Sequence, residues 1–135
     1  MLVQIRLLTF GLVVLLACTN TANAAVWEVL FSASHDNTEA KVELRSSSLR
    51  ERLVRGEKII TAHMRHFYRE GRQSTLATGD YEIHCAARVA YRSNLSMDIT
   101  AADRSKTSVS TSKREMLTGK SHSDMLGLMD ILCNK

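Results

Sequence analysis

Residues 81–99 read YEIHCAARVAYRSNLSMDI. Tyr81, Ile83, Cys85, Ala87, Val89 and Tyr91 alternate with mostly polar neighbours, and Leu95, Met97 and Ile99 resume the pattern after Ser93. A period of two puts successive side chains on opposite faces of a pleated chain, so the stretch predicts half-buried strand rather than helix. Its length exceeds an ordinary strand, which favours two strands joined by a tight turn near Ser93-Asn94.

Downstream, Ala101 to Lys120 is poor in apolar residues and rich in Ser, Thr, Lys and Arg. A structureless connection of that length is unusual in a small domain, so Lys106 to Ser112 is read as an exposed edge strand. Ser121 and Asp124 then open a short helix whose apolar face is Met125, Leu128, Met129 and Leu132. Cys133 falls at its end.

Upstream, Ser48 and Glu51 have the spacing of a capping box. Leu49, Leu53, Ile60, Met64 and Phe67 follow at helical spacing, and Gly71 stands where a helix would stop. The expectation is a long amphipathic helix from Leu49 to Glu70, with Gly56 close against a sheet. Before it, Val26 to Phe31 and Ala40 to Arg45 read as a hairpin around the turn-prone Ser34 to Thr38. The fold class expected is α+β: a small antiparallel sheet in the order β-β-α-β-(β)-β-α, with a long and a short C-terminal helix covering one face.

Met1 to Ala24 reads as an export signal: Arg6, an apolar run from Leu7 to Ala17, then Ala22-Asn23-Ala24 as a small-x-small cleavage site. The apolar core is too short to span a bilayer. Residues 1–24 are thus set apart from a single domain over 25–135, placed in the periplasm or secreted after cleavage following Ala24. Leu15-Leu16-Ala17-Cys18 resembles the lipobox of bacterial lipoproteins, with a lipid anchor at Cys18 as the alternative.

The full chain has 135 residues, no proline, three cysteines and a formal net charge of +4. Without the first segment it has 111 residues at +3 and two cysteines, Cys85 and Cys133. An even pair in an exported chain reads as one disulfide.

No CxxC, HExxH, glycine-rich phosphate loop or GxSxG occurs. His63 and His66, three apart, are weak candidates for metal ligands, but a site needs further donors. His84, His35, Asp36 and Asp80 could supply them only if the fold brings these residues together, and an enzyme pocket would have to gather His35, Asp36, His63, His66 or His84. The balance is against an enzyme, and no cofactor is expected.

Between Arg45 and Arg72 there are eight basic residues and three glutamates. On the expected helix Lys58, Arg65 and Arg69 point outward, with Arg55 beside them. That predicts a basic helical face for an acidic protein partner, with an anionic lipid surface as a second class. Nucleic acid is not expected, because stacking aromatics are not interleaved with the basic residues. The resulting expectation is a small exported binding protein acting stoichiometrically, as an inhibitor, immunity-like antagonist or assembly accessory. Two alternatives stand beside it: a small periplasmic hydrolase or metal-dependent enzyme built on His and Asp, and a structural protein that associates, with itself or others, through its edge strand.

Overall fold

The structure is a computed structural model that describes residues 25–117 and 123–135. The expected signal segment, Cys18 and Ser121 of the second capping pair lie outside the described residues.

The α+β class and the antiparallel sheet hold. Eight strands form one sheet: β1 (Trp27–His35), β2 (Thr38–Arg45), β3 (Arg50–Val54), β4 (Glu57–Glu70), β5 (Gln73–His84), β6 (Val89–Thr100), β7 (Lys106–Thr111) and β8 (Glu115–Leu117). They are followed by one helix, α1 (Ser123–Cys133). The strand order is β1-β2-β4-β5-β6-β7, with β3 also on β4 and β8 also on β6.

The expected helix over Leu49–Glu70 is corrected: those residues form the β3–β4 hairpin. Val54 pairs with Glu57 across Arg55 and Gly56, whose φ values are 51° and 80°. Two consecutive left-handed residues make a two-residue hairpin turn that matches strand twist and cannot lie inside a helix. Ile60, Ala62 and Met64 then alternate into the core. β4 pairs along both edges, so sheet partners satisfy its backbone better than an isolated helix would. The stripe that suggested a helix is dispersed. Leu53 is 72% exposed, and the alternation of β4 puts Phe67 on the opposite face from Ile60 and Met64.

A second correction concerns residues 81–99. The chain turns at Cys85–Arg88, with Arg88 at φ 51°, rather than near Ser93-Asn94. Asn94 (φ 50°) instead lies within β6, where the register with β5 gains one residue between Ser93 and Ser96. Such a bulge flips the phase of the strand. On the turn side of the bulge, the four-residue turn pairs His84 with Val89, so Tyr91 shares a face with Glu82 and Arg92 shares one with buried Tyr81. The first hairpin is also tighter than expected, with only Asp36 and Asn37 between paired His35 and Thr38.

α1 lies on one face of the sheet. Met125, Leu128, Met129 and Leu132 pack against Val42, Leu44, Met64, Tyr81, Ile83 and Ala90. The Cys85–Cys133 disulfide joins the end of the helix to the end of β5 (Cα–Cα 5.8 Å), and β7 is the expected edge strand. Lys58 donates to the Cys133 carbonyl at 3.1 Å, placing a cation at the negative end of the helix.

Candidate functional site

The face without the helix carries the candidate site, and three irregularities of the sheet fall in one cross-strand row. β2 and β3 both pair with β4, β2 along Met64–Glu70 and β3 along Glu57–Thr61, and the chain leaves the sheet between them. β7 and β8 share β6 in the same way, pairing with Leu95–Thr100 and Ala90–Arg92. The row between these breaks contains the registered residues His63, Asp80 and Ser93, with the bulged Asn94 beside them. Each departure leaves a gap in the ladder. Together they flank a groove of about 270 Å3 lined by Ser48, Thr61, His63, Asp80, Glu82, Tyr91, Ser93 and Arg114, among others.

Local bonding fixes these side chains. Where β2 leaves β4, the His63 amide donates to the Ser48 hydroxyl at 2.8 Å, replacing the missing ladder bond. Ser48 in turn donates to the Arg45 carbonyl at 2.6 Å. His63 Nδ1 lies 2.7 Å from Asp80 Oδ1, and the Asn94 amide donates to Asp80 Oδ2 at 2.8 Å. Partial burial pushes the Asp80 carboxyl up, but the bonds from Asn94 and His63 prevail and hold it below its usual value. The bulge thus has a local use: it turns Asn94 onto Asp80.

At the other end, Glu82 accepts from His84 at 2.7 Å and from Arg114 at 3.3 Å, with Arg52 at 3.8 Å. The His84 bond, helped by both arginines, outweighs burial and keeps Glu82 below the ordinary carboxylate range. The Arg114 guanidinium lies 3.7 Å from the centre of the Tyr91 ring, and Arg65 lies 4.1 Å from that of Trp27. The Trp27 ring also approaches His63, at 5.9 Å. Two arginine–aromatic stacks therefore stand on the same face as the groove.

The residues expected on a basic helical face do not form one, because no helix exists there. Arg65 and Arg69 lie on the helix-free face and Lys58 on the other, by the alternation of β4. Arg65 donates to Glu43 at 2.6 Å and Arg69 to Glu39 at 2.8 Å, while Lys58 lies 3.2 Å from Glu51. The Arg65 bond holds Glu43 below its usual pKa despite burial. Arg55 sits in the β3–β4 turn.

His63 and His66 also part company, to opposite faces of β4. His66 stacks on Tyr81 at 5.4 Å beneath the helix side. Among the described residues no three or more His, Cys, Asp or Glu side chains are placed to hold a metal ion. Among the described residues His35 pairs only with Asp36, at 3.2 Å on the exposed hairpin tip.

Sequence reasoning named His63 and Asp80 without pairing them, and it passed over Trp27, Tyr91 and Arg114. The available signal was the Arg55-Gly56 turn, which puts His63 on a strand and permits a cross-strand partner. No family model, curated protein or solved structure matches the chain.

Proposed function

We propose that this is a small exported protein that binds a protein partner stoichiometrically through the helix-free face of its sheet, centred on the His63–Asp80–Ser93 row. The observation that carries the reading is the coincidence of two strand breaks and one bulge in a single row, opening a groove beside two arginine–aromatic stacks. Trp, Tyr and Arg are the residue types that most often carry interface energy, since each combines a large rigid surface with polar donors. Bulges also recur where a sheet re-aims side chains for function. Export rests on the signal-like character of residues 1–24.

The test is capture from envelope extract with the oxidised chain from Ala25 onward, compared across variants. Trp27→Ala and Tyr91→Ala are expected to lower recovery of a specific partner at least tenfold. Arg88→Ala, at the helix side where Arg88 pairs with Asp130 at 2.7 Å, is expected to leave it unchanged. Equal loss from both faces would refute the assignment.

A second reading is favoured by the His63–Asp80 pair alone. A carboxylate on Nδ1 fixes the tautomer and leaves Nε2 as a base, the arrangement used in acid–base catalysis. Turnover of a chromogenic ester, abolished by both His63→Gln and Asp80→Asn, would favour this hydrolytic reading over the binding one.

A further inference from the structure

Arg65 and Arg69 each hold a carboxylate by a short bond, Glu43 at 2.6 Å (which Lys41 also approaches, at 3.4 Å) and Glu39 at 2.8 Å. Arg52 and Arg114 have no carboxylate that close among the described residues. They share Glu82, with Arg114 at 3.3 Å from Oε1 and Arg52 at 3.8 Å from Oε2, while the short bond of that carboxylate goes to His84 at 2.7 Å. Two guanidinium groups therefore bracket one carboxylate that is committed elsewhere, and both are more than half exposed, at 58% and 56%. Arg114 is positioned beforehand by its stack on Tyr91, and stacking leaves the in-plane N–H donors of a guanidinium available.

We propose that Arg52 and Arg114 form a clamp for an acidic side chain of the protein partner, and that Glu82 occupies the clamp until the partner arrives. This rests on the helix-free face being the partner surface. Glu82 itself displays the geometry, one oxygen toward each arginine. The surplus of one positive charge suits a monoanionic carboxylate. A phosphate would bring a second negative charge near Glu82 and Asp80, both held ionised. The adjoining groove, at about 270 Å3, has room for the side chain carrying that carboxylate.

Glu82 as an internal competitor gives a test whose sign is diagnostic. The probe is an acetylated, amidated hexapeptide rich in glutamate, compared with its glutamine counterpart and with inorganic phosphate at equal ionic strength. Binding is read from the emission of Trp27, the chain's one tryptophan, on the same face. The glutamate peptide is expected to give a saturable change and the glutamine peptide none. Arg52→Gln and Arg114→Gln should each weaken binding about fivefold, whereas Glu82→Gln should tighten it about threefold, as loss of a partly exposed competing ion pair implies. Weaker binding by a folded Glu82→Gln protein, equal binding of both peptides, or equal competition by phosphate would each overturn the clamp. Partner capture separates this from the broader reading. Loss with Trp27→Ala but not with Arg52→Gln or Arg114→Gln overturns the clamp and leaves the binding face standing, and capture indifferent to all of them overturns both.

Discussion

His66 lies on the helix-bearing face, stacked on Tyr81, and its buried Nε2 has no partner among the described residues. Burial pushes its pKa below 6.5. Asp124 at the start of α1 opposes that push and Arg92 on β6 adds to it. An imidazole buried neutral contributes stability that is fully present above its unfolded value and lost as pH falls through the folded one. Urea midpoints should therefore begin to fall below about pH 6.5, before the ionised Glu43, Asp80 and Glu82 start to lose their bonds below about pH 4.5. A His66→Phe protein keeps an aromatic ring against Tyr81 and should lose only the upper limb; an unchanged limb would assign it to another group. Gly56 makes a contrasting case. Its φ is 80° and a Cβ there would touch nothing within 4 Å. Gly56→Ala should therefore cost about 1 kcal/mol through backbone conformation alone, measurable by denaturant unfolding.

At the scale of elements, α1 was legible because every residue of its apolar face reaches the core. β7 was legible as an edge because its six residues are all exposed. The β3–β4 hairpin was not, since Leu49, Leu53, Ile60, Met64 and Phe67 happen to satisfy a helical stripe. Ile60, Ala62 and Met64 fit a period of two equally well, and the Arg55-Gly56 turn decides between them through partners distant in sequence. The same limit hid the site. His63, Asp80 and Ser93 meet only through register, and register depends on hairpins and a bulge that local pattern does not specify. The disulfide was legible from cysteine parity, and it closes a separation of 48 residues. Cys133→Ser should lower unfolding free energy by about 4 kcal/mol on the chain-entropy estimate. It should also raise amide exchange in α1 before exchange in β4 and β5, because the helix adds few contacts beyond its buried face. Uniform exchange across helix and central strands would show that α1 and the sheet open as one unit.

At the scale of the whole molecule, most strands pair with a neighbour in sequence, and the sheet is open at both β1 and β7. β1 carries the bulge near Val29–Phe31 that interrupts a flat edge, whereas the register of β7 against β6 is uninterrupted. If copies associate through a strand edge, Val109→Lys on β7 should shift light-scattering mass toward monomer, while Ser32→Lys on β1 should not. The positions of the first and last described residues carry a mechanical consequence. Lys135 pairs with Glu28 near the start of β1, so a pull on Ala25 and Lys135 first breaks that ion pair and then peels β1 from the sheet edge. Hydrogen bonds peeled in turn resist less than bonds sheared together. The disulfide then shields everything between Cys85 and Cys133 from the load. Under oxidising conditions the chain can pay out only about 60 residues, or ~210 Å of contour, before the tether goes taut. The C-terminal strands and the far wall of the groove, including Arg114, stay inside the covalent loop while the N-terminal hairpin is drawn away.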